Sequence, residues 1–198
     1  MKKYFVESLG TFTLTLVVVL SVAGSFPIST PVLAALTLGL FVYSVGHISG
    51  THINPAVTLG LWSIGKIKSS EALNYIGSQF IGAGLAFLLI TLMDGDIGVK
   101  AGLTVSNALF VGFAELVGTF FFTFGIASVV YDKVPGQMNG LVVGGSLLLG
   151  ITLAVLLGSN GVLNPAVAFG IGSFGIMYIL GPILGSILGM KAYKFLEN

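Results

Sequence analysis

Two copies of a short motif, Asn-Pro-Ala, are the residues of this sequence best suited to act on a ligand. They are Asn54, Pro55 and Ala56, and Asn164, Pro165 and Ala166. Asn is a preferred helix N-cap and Pro is favoured at the first helical position, so each motif predicts a helix start. A helix start carries about half a positive charge, and the Asn amide adds N–H donors. Two helix N-terminal ends that face each other would repel cations and bind neutral polar molecules. The alternative is that both Asn side chains only cap helices.

Two carboxylates lie within long apolar segments. Glu7 and Glu115 each begin the pattern Glu-x-x-Gly-Thr-Phe. A carboxylate inside a membrane is costly and needs partners. We expect each to accept hydrogen bonds from the backbone of a nearby loop and so to brace that loop. The alternative is a proton relay, which would belong to a coupled transporter.

The composition indicates that the elements holding these residues lie in a bilayer. Of 198 residues, 55% are hydrophobic and 8% are charged, against about 25% charged in soluble domains. A net charge of +1 offers no basic patch for nucleic acid. With no Cys and only two His, we expect no metal site, no cofactor and no enzyme activity.

Six stretches are long and apolar enough to cross about 30 Å of hydrocarbon. They run from about 4 to 24, 31 to 50, 72 to 93, 105 to 131, 138 to 158 and 174 to 196. Two shorter apolar pieces, 55 to 65 and 165 to 175, predict re-entrant half-helices buried in protein. The segments before them should offer backbone carbonyls to a wet path, from Gly50, Thr51, His52, Asn160, Gly161, Val162 and Leu163.

The order span, span, half-helix, span occurs twice, at about 1–98 and 105–198, within a single transmembrane domain that covers 1–198. Because three spans is an odd number, the second copy enters from the opposite membrane face, which makes an inverted repeat. Six spans place both termini on one side. The positive-inside rule makes that side cytoplasmic, because seven lysines fall there and only Lys100 falls opposite.

These motifs resemble the aquaporins, or major intrinsic proteins. The stretch from Gly46 to Gly60 is similar to the first signature of the family, and Glu7, Glu115, Gln79 to Gly82, Asn164 to Ala166 and Gly181-Pro182 match along the whole chain. The resemblance implies an all-α right-handed bundle of six transmembrane helices and two half-helices. It also implies one pore per subunit and a homotetramer. The short outer loops favour a plasma membrane.

One departure from the family pattern concerns the narrow outer filter. Family members that pass only water usually have Arg three residues after the second Asn, where this chain has Val167 and contains no Arg at all. The second motif is similar to that of vacuolar plant aquaporins, some of which carry Val there. The other filter positions fall on Ala34, Gly161 and Thr152 or a neighbour of Thr152. We therefore expect a wide, weakly hydrogen-bonding filter.

The sequence thus predicts a passive channel for water and small uncharged solutes such as ammonia, hydrogen peroxide, urea or glycerol. Its partners would be those solutes and lipid, with central helix dipoles and both Asn-Pro-Ala motifs excluding protons and ions. Two alternatives stay open. One is an ion-coupled secondary transporter, since inverted repeats also build carriers. The other is a non-conducting structural tetramer whose path is plugged by Phe41, Tyr43 or Leu163.

Overall fold

The computed structural model describes residues 1–24, 26–97 and 106–198, with the side chains of 94–97 excluded. The helices of these residues are α1 (Lys2–Ala23), α2 (Thr30–Ser49), α3 (Pro55–Ser63), α4 (Ser69–Ile97), α5 (Leu109–Val130), α6 (Asn139–Leu156), α7 (Pro165–Gly170) and α8 (Met177–Glu197). A short 3₁₀ turn, Gly136–Met138, precedes α6. Within the described ranges, six of these helices are long and apolar enough to span a membrane, which confirms the predicted architecture. Lys100, and residues 98 and 105 at the predicted repeat boundaries, lie outside the described residues.

The half-helices α3 and α7 are shorter than the apolar runs that predicted them. Each ends where a glycine adopts the left-handed conformation, Gly65 with φ 81° and Gly172 with φ 70°. The next backbone N–H returns to the last helical turn, from Lys66 to Leu61 and from Ser173 to Ala168. This is the Schellman motif, which satisfies free carbonyls at a helix end and needs a residue that tolerates positive φ.

The two halves pack through equivalent helix pairs. In the first half α1 lies against α2 and α4, in the second α5 lies against α6 and α8, and α2 meets α6 between the halves. Each half-helix also crosses over, with α3 against α8 and α7 against α4. The half-helices are therefore held by both repeats at once, which fixes the two Asn-Pro-Ala motifs relative to each other.

Glycines set how closely these helices approach. A Cβ added to Gly39 of α2 would lie 2.8 Å from the carbonyl oxygen of Gly140 on α6. One added to Gly181 of α8 would lie 2.5 Å from the carbonyl oxygen of Gly112 on α5. Small residues permit such backbone contact in membrane bundles, where association depends on packing rather than on the hydrophobic effect.

Candidate functional site

The two Asn-Pro-Ala motifs meet in a reciprocal arrangement at the centre of the bundle. Asn54 Oδ1 accepts a hydrogen bond of 2.8 Å from the N–H of Ala56, so it caps α3. Asn164 Oδ1 accepts from the N–H groups of Ala166 and Val167, at 3.1 and 3.3 Å, and caps α7. Both half-helices therefore begin at the same central region and present their N-terminal ends there.

The same Asn side chains also connect the repeats. Asn54 Nδ2 donates to the carbonyl oxygen of Leu163, and Asn164 Nδ2 donates to that of Ile53, each at 2.9 Å. Ile53 and Leu163 are the residues that immediately precede the two motifs. One of the two N–H groups of each amide is thus used within the protein, which leaves one to face a permeating molecule.

Ile53 and Leu163 both have positive φ, 38° and 53°, a conformation that costs free energy for side chains of this kind. Carboxylates hold them in it. Glu7 accepts from the N–H of Ile53 at 2.6 Å, and Glu115 accepts from the N–H of Leu163 at 2.7 Å. Each strained residue is therefore fixed by a carboxylate at its N–H and by the opposite Asn at its carbonyl.

Each carboxylate has further partners in its loop. Glu7 also accepts from the N–H of His52 at 2.9 Å and from the hydroxyl of Ser49 at 2.8 Å. Glu115 also accepts from the N–H of Val162 at 3.0 Å and from the Ser159 hydroxyl. Both side chains are completely buried and border neither of the cavities described next.

Two cavities approach the centre from opposite membrane faces. One, of about 360 Å³, opens away from the termini and reaches both Asn54 and Asn164. The other, of about 350 Å³, opens on the side of the termini, with Lys66 and Glu71 among its lining. His52 borders both cavities. Together they outline a path through the protein that passes the paired motifs.

Four residues line the first cavity at its predicted filter level: Ala34, Ile151, Gly161 and Val167. None is charged, aromatic or capable of donating a side-chain hydrogen bond. Gly161 has φ 66° and lies directly against Ile151, whose carbonyl oxygen would be 3.0 Å from an added Cβ. This level of the path is therefore aliphatic, with polar groups supplied by the backbone.

The sequence assigned this filter position to Thr152 or a neighbour of Thr152, and the structure places Thr152 itself away from the cavity. It is exposed on the outside of α6, where its hydroxyl donates to the carbonyl oxygen of Leu148 at 2.7 Å. Ile151 takes the inward position instead. Since successive residues of a helix point about 100° apart, an error of one position exchanges the cavity for the lipid-facing surface.

The residues predicted to offer backbone carbonyl acceptors to the path lie along both cavities. Gly50, Thr51 and His52 line the cavity on the side of the termini, while Asn160, Gly161 and Val162 line the opposite one. Leu163 borders neither cavity, because it is completely buried and its carbonyl accepts from Asn54. Phe41 and Tyr43, considered as plugs, also border neither. The prediction for Leu163 is corrected accordingly.

A polar cluster behind the first half-helix was not assigned from the sequence. Gln79 Nε2 donates to Glu7 Oε2 at 2.8 Å and to Thr58 Oγ1 at 3.0 Å. Tyr75 donates to the carbonyl oxygen of Ser49 at 2.7 Å, and its ring packs on His52. The sequence signal that could have indicated this cluster is the spacing of Tyr75 and Gln79, which lie four residues apart in the apolar helix α4.

The comparisons with known proteins agree with this geometry. The family model of the major intrinsic proteins matches residues 1–193. The chain belongs to this family. As a major intrinsic protein it is a membrane channel for water and small solutes, and members of this family are channels rather than enzymes. In the described part of the chain, no three His, Cys, Asp or Glu residues lie together as a metal site would require.

Relatives of this major intrinsic protein come from bacteria, archaea and plants. Aquaporin Z of Photorhabdus laumondii is 32% identical, covering 99% of this chain and 97% of that protein. Aquaporin AqpM of Methanothermobacter marburgensis is 33% identical over 79% of this chain and 72% of its own. Aquaporin NIP1-1 of Arabidopsis thaliana is 31% identical, covering 98% of this chain and 73% of that protein.

A solved structure shows the same fold. The X-ray structure of the aquaglyceroporin from Plasmodium falciparum superposes with a TM-score of 0.76 and 21% identity, and covers 97% of this chain and 94% of that one. The aquaporin-like arrangement of six long helices and two half-helices is therefore confirmed.

Proposed function

We propose that this protein is a passive channel with a filter broad enough to pass small uncharged solutes as well as water. The observation that carries the proposal is the aliphatic lining at Ala34, Ile151 and Val167. Without a long cationic or aromatic side chain at this level, selection depends on size and on backbone carbonyls. Ammonia, hydrogen peroxide, urea and glycerol are the candidate solutes.

Exclusion of protons and cations depends, in this proposal, on the centre of the path. The N-terminal ends of α3 and α7 meet there, and each contributes about half a positive charge in a medium of low dielectric. The remaining N–H groups of Asn54 and Asn164 donate to the oxygen of one passing water. A water that accepts both bonds has no lone pair left to accept a hydrogen bond from its neighbour, which interrupts a proton wire.

The buried carboxylates favour a passive channel over an ion-coupled carrier. Glu7 and Glu115 accept hydrogen bonds from loop backbone and border neither cavity. A coupled carrier needs an ionisable group that meets the substrate or the ion. Where Asn54 and Asn164 meet, the path instead offers amides, carbonyls and helix ends, and the ionisable side chains of His52, Lys66 and Glu71 line the cavity on the side of the termini.

Purified protein in liposomes tests this proposal. We expect an osmotic step to produce faster water flux than in empty vesicles, and a urea or glycerol gradient to produce faster solute entry. Solute flux should rise linearly with the solute gradient and should not change when a proton or sodium gradient is imposed. Flux that follows either ion gradient would favour the carrier, and flux equal to that of empty vesicles would favour a non-conducting tetramer.

We further propose a homotetramer in the plasma membrane with both termini in the cytoplasm. The resemblance to aquaporins supports the assembly, and the lysines near the termini support the orientation. Native mass spectrometry tests the assembly. Because the chain has no Cys, a single cysteine at Lys133, which lies in the loop after α5, reports orientation through a membrane-impermeant thiol reagent. Labelling of Lys133→Cys in intact cells would contradict a cytoplasmic location.

A further inference from the structure

The first turns of α1 and α4 meet in a fixed polar junction at the end of the bundle that carries the termini. The ammonium group of Lys3 pairs with the Glu71 carboxylate and lies 5.4 Å from the centre of the Tyr4 ring. The Tyr4 ring packs at right angles to that of Tyr75, with 5.7 Å between ring centres, and its hydroxyl accepts from Asn74 at 3.3 Å. The start of α1 is therefore held against the start of α4.

Two lysines beside this junction have ammonium groups without a partner. Lys2 is the first residue of α1 and Lys68 immediately precedes α4, and both are exposed. Within the part of the chain that the structure describes, neither side chain makes an ion pair or a hydrogen bond. Because the pair of Lys3 with Glu71 is neutral, the junction carries two uncompensated positive charges.

The helix surfaces next to these lysines are apolar and exposed. On α1, Phe5 and Leu9 lie three and seven residues after Lys2 and therefore share its face, with 69% and 44% of their surface exposed. On α4, Leu73 and Ile81 are 71% and 62% exposed. A lysine side chain can extend along such apolar surface and place its ammonium group at the boundary between membrane and water.

From this arrangement we infer that the junction of α1 and α4 binds an anionic phospholipid. Its phosphate lies between Lys2 and Lys68, and its acyl chains lie along the apolar faces of the two helices. Charge complementarity favours a headgroup with net negative charge, since a zwitterionic headgroup brings a cation of its own. Inorganic phosphate would meet the lysines but would leave the apolar faces unused. Lipid binding here is independent of what the path conducts.

The lysines at the ends of α5 and α8 do not form an equivalent site. Lys133 pairs with Glu197, which brings the loop that contains Asp132 to the end of α8. Asp132 is exposed and has no ion-pair partner among the described residues, so its carboxylate opposes the exposed ammonium group of Lys191. This end of the bundle therefore supplies control substitutions that remove the same number of lysines.

Native mass spectrometry of the full-length protein in a neutral detergent, with added dioleoyl phosphatidylglycerol or dioleoyl phosphatidylcholine, tests the site. We expect phosphatidylglycerol to bind more tightly than phosphatidylcholine. Lys2→Gln combined with Lys68→Gln should weaken phosphatidylglycerol binding about thirtyfold, at about fivefold for each lysine near an anionic surface. Lys133→Gln combined with Lys191→Gln lowers the net charge equally and should leave that affinity unchanged.

Four results would overturn the inference. Equal weakening in both double variants would show a general attraction between charges, and equal affinity for the two lipids would show no recognition of the headgroup. Displacement of phosphatidylglycerol by an equal concentration of inorganic phosphate would indicate an anion site without a lipid. A changed oligomeric state of the Lys2 and Lys68 variant, with its phosphatidylglycerol binding intact, would indicate that a second copy of the chain covers this face.

Thermal unfolding in lipid nanodiscs separates lipid binding from a folding defect. The unaltered protein should unfold at a higher temperature in phosphatidylglycerol than in phosphatidylcholine, because a ligand of the folded state stabilises it. The variant with Lys2→Gln and Lys68→Gln should lose this difference, whereas Lys2→Arg with Lys68→Arg keeps both charges and should retain it. A difference that persists in the glutamine variant, or that is lost in the arginine variant as well, would contradict a site that depends on these two charges.

Discussion

The side-chain amide of Asn54 donates a hydrogen bond of 2.9 Å to the carbonyl oxygen of Leu163, 109 residues further along the chain. The reverse bond, from Asn164 to Ile53, has the same length. Each Asn therefore caps its own half-helix with its oxygen and holds the opposite loop with its nitrogen. The two motifs form one unit, so a substitution in either motif should destabilise both repeats.

Replacement of Asn54 by alanine removes both functions of the side chain. The lost N-cap costs about 1 kcal/mol, and the unpaired Leu163 carbonyl costs about 1–3 kcal/mol more. We expect a lower midpoint of thermal unfolding in detergent, together with a higher proton leak in liposomes. Fluorescence-detected unfolding and a vesicle-entrapped pH dye measure the two effects.

Asn74→Ala supplies the control for this prediction. Asn74 is exposed on α4 and donates a bond of 3.3 Å to the hydroxyl of Tyr4. Its loss should change neither stability nor proton leak measurably. Equal behaviour of the Asn54 and Asn74 variants would mean that the central bonds contribute little.

The reciprocal bond also shows which features the sequence determines locally. An apolar run of about 20 residues predicts a span, and Asn-Pro predicts a helix start, because both depend on neighbouring residues alone. The Leu163 carbonyl was wrongly predicted to face the path, because its hydrogen-bond donor, Asn54, lies in the other repeat. No local pattern reports that the two loops meet.

Thr152 illustrates a second limit. The apolar run predicts that α6 exists but not its rotation about its own axis, which depends on packing against α2 and α5. Almost every residue of this helix is apolar or small, so hydrophobic periodicity does not separate its inward face from its lipid-facing one. Contact with Gly161 is what identifies Ile151 as the inward residue.

The rotation of α6 leads to a paired prediction for solute selectivity. Ile151→Phe replaces an aliphatic side chain at the filter level with a larger aromatic one, which narrows the path. We therefore expect urea and glycerol permeability to fall about tenfold or more, while water flux falls less. Thr152→Phe faces outward and should leave both fluxes unchanged. Stopped-flow light scattering measures them. A selectivity change in Thr152→Phe but not in Ile151→Phe would contradict the observed orientation.

Glu7→Gln should destabilise the loop that precedes the first half-helix. The N–H groups of His52 and Ile53 and the amide of Gln79 all donate to the carboxylate, so an introduced amide group turns one acceptor into a donor facing a donor. We expect a loss of about 2–4 kcal/mol in the free energy of unfolding and reduced water flux. Purified yield, unfolding midpoint and flux are the measurements.

Glu71→Gln serves as the matched substitution for Glu7. Glu71 pairs with Lys3 near the surface, where an ion pair contributes about 0–1 kcal/mol. The unfolding midpoint of this variant should be close to that of the unaltered protein. If Glu7→Gln were equally harmless, bracing of the loop by the carboxylate would be refuted.

Glycines of the helix contacts give a prediction that separates packing from helix propensity. A Cβ at Gly185 would fall inside contact distance of the Leu116 carbonyl on α5, whereas one at Gly77 on α4 meets nothing within 4 Å. Gly185→Ala should therefore destabilise by about 1–3 kcal/mol through overpacking, and Gly77→Ala should stabilise by up to about 1 kcal/mol through helix propensity. Thermal unfolding of both variants in one detergent measures the difference. Stabilisation by both would show that α5 and α8 are not in close contact, and loss of stability in both would show that α4 is packed where the structure leaves space.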